Sequence, residues 1–398
     1  MIPTCDSPGP LRVHAIDSVA GLLELGPEWR RLQDDAGELP FTSWEWSVTW
    51  WRELSRTSMA VRDRLFVRAF RDPRGELVGV APLLLRSYPG QGPAFRCLRY
   101  FGADANITEL RGLLCHRDRH HDVCTALLED VLARDGEWDC FFMDGLRRDL
   151  DCPLLHTRED SRWSEEHPDY TISLPKSWEE FRGSRSRNIK ESLRKCRNSL
   201  QRAGLTPAYR VATRGPELEA GLAAFFELHA ARAGGTERVP HKDVFEDPDA
   251  KRFLRALVRE LGEVDGVRIF TMELAGRPVA VRVAFCVGRS LYLYYSGYDP
   301  AYGRYSVMTS VVAEAIKYAI AQGYQTVNLS PGKDISKTRW SPDETLYRDA
   351  MLPSTAGRSR LITEAYLRLR RRWLSHRMLP GARRQRSADR ALERPVLG

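Results

Sequence analysis

The sequence predicts an α/β protein made of two related units, and three observations carry that prediction. Extended runs paired about tight turns occur in both halves of the 398 residues. In each half these runs lead into a helix and then a further strand, in the same order. The composition, 42% hydrophobic and 29% charged, suits a globular chain long enough to bury more than one core.

The elements follow in order. "FTSWEWSVTWWREL" carries Trp44, Trp46, Trp50 and Trp51 on a helix packed on its domain or at the interface between units, with stacking on a ligand as the alternative. "RLFVRAF" and "ELVGVAPLLLR" flank Asp72-Pro73-Arg74-Gly75, a strong hairpin signal. "FRCLRYFG", "ELRGLLC", a helix near Asp122–Leu132 and the strand "WDCFFMDGL" complete the first unit. The polar stretch over residues 157–170 places the boundary, giving units 1–165 and 166–357. In the second unit "YTISLP" is a strand, and Ser177 with Glu180 form a capping box. Residues 213–262 read as two helices joined by a polar loop. A hairpin about Ala275-Gly276 and the tyrosine-rich "RSLYLYYSGYDP" precede a helix opening at Ser306. Its apolar spacing runs from Val307 to Ile320, with Gly323 as the stop, and the strand "YQTVNLSPG" follows.

No apolar run is long enough to span a bilayer. "MIPTCDSPGPLRV" has neither a basic start nor an apolar core, so the expectation is a cytoplasmic protein without a signal peptide. The eight cysteines show no C-x-x-C pair and no metal spacing, and the expectation is reduced thiols and no metal. "HRDRHH" at His116–His121 likewise lacks ligand spacing and reads as loop histidines.

The net charge of +8 is concentrated in two segments. Residues 358–398 hold twelve arginines against three acidic residues, and residues 182–202 hold eight Lys/Arg against Glu191. The first reads as a helical arm with a disordered end, able to lie on an anionic membrane surface. The second reads as an amphipathic helix with Ile189, Leu193 and Leu200 inward and a cationic face. That face is either merely solvated or turned to RNA phosphates or an anionic substrate.

A strand that delivers its end to a loop and a helix N-terminus makes an anion seat, because free N–H groups and the helix dipole face the ligand. Here Arg304 and the amides of Tyr305 through Met308 occupy that place, with Gly303 the nearby glycine. Ser306 reads as an N-cap or as a ligand contact. Tyr295, Tyr298 and Tyr302 cluster at the strand end, either as packing or with one as a proton donor. After Pro331-Gly332 the polar segment Lys333, Asp334, Lys337, Arg339 and Trp340 returns over the strand end. Lys337 and Arg339 are placed to clamp an anion and Asp334 to act as base or orienting partner, and a solvated loop is the alternative.

The segments "FTSWEWSVTWWREL", "ELVGVAPLLL", "RNIKESLRK", "LHAAR", "YYSGYDPAYGRYS" and "SPGKDISKTRW", in that order, resemble the CelD/BcsL-like acetyltransferases associated with cellulose biosynthesis. These are FemAB-like members of the GCN5-related N-acetyltransferase (GNAT) superfamily. The resemblance runs from about residue 40 to 345. It implies two tandem GNAT-like folds with the active cleft in or beside the second. It implies direct transfer of an acyl group, acetyl in the first instance, from acyl-coenzyme A as co-substrate to an amine of a small-molecule or envelope-related acceptor. His229 and Arg232 match the family's His-x-x-Arg, which makes His229 a candidate base, with a structural helix histidine as the alternative. Lys337 matches a lysine typical of the family. The resulting expectation is His229, Tyr298, Asp334 and Lys337 for catalysis, Gly303, Arg304, Tyr305 and Ser306 for the donor, and Lys333, Arg339 and Trp340 for the substrate. Where relatives carry Ser-Pro-Gly, this chain has Ser306-Val307-Met308, which narrows the approach to the helix amides. Two alternatives stand beside this reading. One is a FemAB-type aminoacyltransferase with charged tRNA as donor, and the other is a degenerate fold acting only as a binding protein.

Overall fold

The computed structural model describes residues 9–89, 94–104, 107–150, 152–156, 158–164, 166–234 and 242–364. A twelve-stranded sheet runs through the molecule. From one edge its order is Pro207–Ala212, Val267–Leu274, Arg277–Val287, Ser290–Tyr298, Thr326–Pro331, His167–Ser173, Asp343–Pro353, Cys140–Arg147, Phe95–Tyr100, Leu83–Tyr88 and Arg62–Leu65. The short strand Arg162–Trp163 pairs with Asp343–Pro353 off this path. A second sheet joins Arg12–Ile16, Val67–Arg71, Leu77–Ala81 and Leu114–Cys115.

Two strand pairs in the large sheet are parallel, and each is bridged by a helix. Phe95–Tyr100 and Cys140–Arg147 are joined through the helix His120–Ala133. Ser290–Tyr298 and Thr326–Pro331 are joined through the helix Val307–Ala321. The recurring order seen in the sequence is this repeated strand–helix–strand unit. The second helix ends as its Gly323 predicts. Gly323 N–H donates to Ile320 O and Tyr324 N–H to Ala319 O, a Schellman closure with Gly323 at φ +77.

The strand Asp343–Pro353 binds the two halves, pairing with His167–Ser173 on one side and Cys140–Arg147 on the other. A shared core binds them again. Trp46, fully buried on the helix Trp44–Leu54, meets Phe253, Phe285 and Tyr294 edge-on at 5.1, 5.8 and 6.0 Å. Trp50 stacks on Phe101 at 5.6 Å. The tryptophan-rich helix is therefore interface packing, with the rings committed to protein rather than to ligand.

The expectation of reduced thiols needs one correction. Cys124 and Cys152 form a disulfide with a Cα separation of 6.2 Å. Cys124 lies on the buried face of its helix and meets Cys152 across a tertiary contact 28 residues away in sequence, which local spacing does not reveal. Cys97, Cys115, Cys140, Cys196 and Cys286 are free thiols. Residues 357–364 are helical; the rest of the Arg-rich arm, 365–398, lies outside the described residues. Among the described residues no helix is long and apolar enough to cross a membrane, and no cluster of His, Cys, Asp and Glu is set to hold a metal.

Candidate functional site

The site begins where a parallel ladder stops. Ser290, Leu291 and Tyr292 pair with Thr326, Val327 and Asn328, and beyond that point the two strands no longer bond to each other. Ser290–Tyr298 continues to Tyr298 and Thr326–Pro331 to Pro331. A cleft of about 250 Å³ lies at this end, lined by Arg232, Arg282, Tyr298, Leu329, Lys337 and the turn Ser306–Thr309 among others.

The turn opens the helix Val307–Ala321. Ser306 sits at its N-cap position in the left-handed conformation (φ 53, ψ 43), and its side chain makes no capping hydrogen bond. The N-cap reading of Ser306 is therefore corrected: position is kept, but the hydroxyl does no capping, because this backbone turns the side chain away from the first-turn amides. Thr309 and Ser310 amides return to Ser306 O at 2.9 and 3.3 Å. The Val307 and Met308 amides precede the helical ladder and stand in the cleft wall, as the first N–H groups of any helix do.

Three cations face this space. Lys337, on the short helix Ile335–Thr338, donates from Nζ to Ser330 O at 3.2 Å, Ser330 Oγ at 3.1 Å and Pro331 O at 2.5 Å. Burial pushes its ammonium down to about 8; Glu109 and Asp169 oppose that shift and Arg282 adds to it. Arg282 stands opposite Ser296 beside a β-bulge and donates from Nη2 to Leu293 O at 3.0 Å; burial lowers it to about 10. Arg232 donates to Ser296 Oγ at 3.2 Å and lies over the Tyr298 ring at 5.4 Å.

Behind the cations lie two buried carboxyl groups. Glu109, from the first half, accepts from Tyr292 OH at 2.7 Å, and burial raises it to about 7. Asp169, also beside a bulge, accepts from Asn328 Nδ2 at 2.6 Å and is raised by burial. Asn328 Oδ1 in turn accepts from the Ser330 amide at 2.6 Å, fixing Ser330 in the left-handed region at φ 67.

The structure brings Tyr298, Lys337, Gly303, Ser306 and Trp340 to the cleft. Trp340 is buried, 6.4 Å from the Phe181 ring, and its carbonyl accepts from Arg185. Tyr305 is buried beneath the turn, and the exposed Arg304 lies over its ring at 4.9 Å. Lys333 is exposed, and Asp334 caps the short helix by accepting from Ser336 N–H at 2.6 Å. Arg339 reaches the hydroxyls of Ser192 and Thr309. His229 is behind the strand and does not line the cleft. Its Nδ1 meets Ser296 O at 2.9 Å and its Nε2 lies 3.6 Å from Asp243, in an aromatic cage of Phe225, Phe245 and Tyr295. Burial lowers its pKa, outweighing the Ser296 hydrogen bond and Asp243.

Glu109, Asp169, Arg282 and Asn328 escaped the reading of the sequence. Two of them carried a signal, a charged or amide residue inside a predicted strand, in "VAVRVAF" and "TVNLS"; Asp169 fell in the polar stretch read as the boundary, just before "YTISLP". Glu109 carried none, since it comes from a loop of the other half.

Comparison with known proteins bears on the fold. Residues 187–338 match the family model described as "Acetyltransferase (GNAT) domain". The fold is GNAT-like. It superimposes on the crystal structure of FemX with a TM-score of 0.58 at 12% identity, covering 85% of this chain and 96% of that one. A conserved protein of unknown function from Bacteroides thetaiotaomicron VPI-5482 gives 0.50 at 12% identity, covering 86% and 100%. At such identities the likeness speaks to the fold. Among curated proteins none matches the sequence. In this GNAT-like fold the diverging strands and the intervening helix form the cleft, and the matched segment contains both.

Proposed function

We propose that the protein is an N-acyltransferase that moves an acyl group from a coenzyme A thioester to an amine, in the CelD/BcsL-like manner that the sequence resembles. The observation that carries this reading is the end of the parallel ladder at Tyr292 and Asn328, with a helix N-terminus and the Lys337 ammonium facing the opening. The amine nitrogen bonds to the thioester carbonyl carbon, the C–S bond breaks, the amine loses a proton and the departing thiolate gains one. Lys337 and Arg282 offer positive charge to the oxyanion that forms between these events. Tyr298 is the hydroxyl at the cleft suited to protonate the thiolate. At about 250 Å³ the cleft is smaller than the roughly 300–1,000 Å³ that encloses a whole drug-sized ligand, so it suits the thioester arm while the nucleotide end stays outside.

A second reading, aminoacyl transfer from charged tRNA, is favoured by Val307 and Met308 at the helix start and by the exposed cations of the helix Arg187–Arg202. Thermal-shift titration with coenzyme A, acetyl-coenzyme A and longer acyl-coenzyme A at two salt concentrations separates the readings. A ligand bound only by the folded state adds about 2.7 kcal/mol at one hundred times its Kd. A saturable shift that survives higher salt supports the first reading. No shift with any thioester, together with salt-sensitive binding of tRNA, replaces it with the second.

A further inference from the structure

On the far side of the helix Val307–Ala321 lies a larger groove of about 790 Å³. Its other wall is the helix Arg187–Arg202, and contacts between Cys196 and Ser306, and from Arg339 to Ser192 and Thr309, close it off from the cleft. The floor is largely aliphatic: Leu193, Leu200, Leu205 and Ala313 line it, with Trp178 and Tyr209 beside them. The rim is cationic. Lys190, Arg194 and Arg197 follow one another at i, i+4 and i+7 on one helix face, and Arg182 joins them from the helix Trp178–Ser184. Arg182, Arg194 and Arg197 are exposed and form no ion pair or side-chain hydrogen bond among the described residues. Among the described residues of the lining the only carboxylate, Glu314, is taken by Lys317 at 2.6 Å.

An aliphatic floor beneath a rim of free guanidinium groups is the complement of a chain with an anionic head. Guanidinium forks match phosphate oxygens in geometry and charge. A single-stranded nucleic acid asks instead for open aromatic faces to stack on. Here Trp178 is already committed, stacked on Phe181 at 5.5 Å with Lys317 Nζ 5.1 Å from its ring, which leaves Tyr209, 38% exposed, as a single open ring rather than a succession of stacking faces. We propose that this groove binds an anionic amphiphile, a linear acyl or alkyl chain carrying a phosphate head. The site is separate from the transfer cleft and does not depend on the transfer reading.

The test is calorimetric titration of the full chain with hexyl, octyl, decyl and dodecyl phosphate, each below its micelle concentration. Inorganic phosphate, dodecyltrimethylammonium and a twelve-nucleotide single strand serve as comparison ligands. The proposal expects affinity to rise on the order of tenfold for each two methylenes, since each buried methylene contributes about 0.8 kcal/mol. It expects Arg194→Glu with Arg197→Glu to weaken dodecyl phosphate at least tenfold in a variant whose circular dichroism is unchanged, and Lys337→Ala to leave that affinity as it was. Affinity independent of chain length, equal binding of the trimethylammonium head, tighter binding of the oligonucleotide or no saturable binding of dodecyl phosphate would each overturn it. The chain-length and head-group comparisons use the unaltered protein, so they decide the matter even if the double variant misfolds.

Discussion

Lys337 is fastened to Ser330, a residue that is itself held in the left-handed backbone region. The Nζ group donates to both the carbonyl and the hydroxyl of Ser330, whose φ is 67. A non-glycine residue there costs on the order of 1–3 kcal/mol, and it persists when its surroundings over-determine it. Asn328 holds the Ser330 amide from one side and Lys337 its oxygens from the other. The result is an ammonium fixed at the mouth of the diverging strands. Lys337→Ala should lower single-turnover acyl transfer by roughly 100-fold or more, the scale of losing one preorganised oxyanion partner. Lys337→Arg should not restore it, because a planar guanidinium cannot reproduce three donors converging on neighbouring oxygens. Transfer within threefold of wild type in Lys337→Ala would remove the ammonium from the chemistry.

Ser306 holds the same strained conformation, supported by backbone hydrogen bonds to Gly303, Thr309 and Ser310 that glycine would keep. It makes no capping bond that glycine would forfeit. Ser306→Gly should therefore raise stability by about 0.5–1 kcal/mol, relief of the left-handed backbone outweighing the added freedom of the unfolded chain. Urea unfolding measures this directly. A fall in stability would mean that the side chain contributes contacts worth more than the strain.

Much of the fold was legible because local signals and tertiary structure agree. The Asp72–Gly75 turn, the Ser177 cap and the Gly323 stop each describe a structure completed within a few residues. Lys337 and Tyr298 were legible for a similar reason, since a strand end and the turn after it place them. The rest of the site depends on geometry that has no local pattern. Bulges beside Arg282 and Asp169 interrupt the alternation that would assign each side chain to a face. Glu109 reaches Tyr292 from 183 residues away, and Cys124 reaches Cys152 from 28 residues away. His229 shows the converse. The resemblance to the family's His-x-x-Arg made it a candidate base, yet the helix buries it behind the strand, where its ring bonds to a backbone carbonyl.

That close approach of helix to strand has a consequence at Gly297. A Cβ there would lie 2.3 Å from the His229 amide nitrogen and 2.5 Å from the Leu228 carbonyl carbon. Both are backbone atoms, so no rotamer change relieves the clash and the helix Gly215–Ala233 must shift. Gly297→Ala should cost about 1–3 kcal/mol in urea unfolding. It should also weaken any ligand of the cleft, because Arg232 rides on that helix. Unchanged stability would show that the helix has room to move.

The Glu109 carboxyl gives the protein a particular pH dependence. Its folded pKa is about 7, above the ordinary 4.5, chiefly because of burial, while the Tyr292 hydrogen bond, Lys337 and Arg282 act against the shift. Between these two values the folded state holds more protons than the unfolded state, so stability falls as pH rises. The contribution is fully present below about pH 4.5 and is lost as pH passes through 7. Glu109→Gln keeps an acceptor for the Tyr292 hydroxyl and removes the titration. At pH 8 it should be more stable than wild type by about 1–3 kcal/mol, and its stability should change less across pH 5–8. The same substitution withdraws a negative neighbour from Lys337, which should lower the pKa of that ammonium further. If Lys337 acts as a cation, the alkaline limb of the transfer rate should then move to lower pH. Stability curves of wild type and Glu109→Gln that run parallel across pH 5–8 would show that Glu109 stays ionised in the folded protein. A limb that stays in place while those curves diverge would separate Glu109's effect on folding from any effect on Lys337.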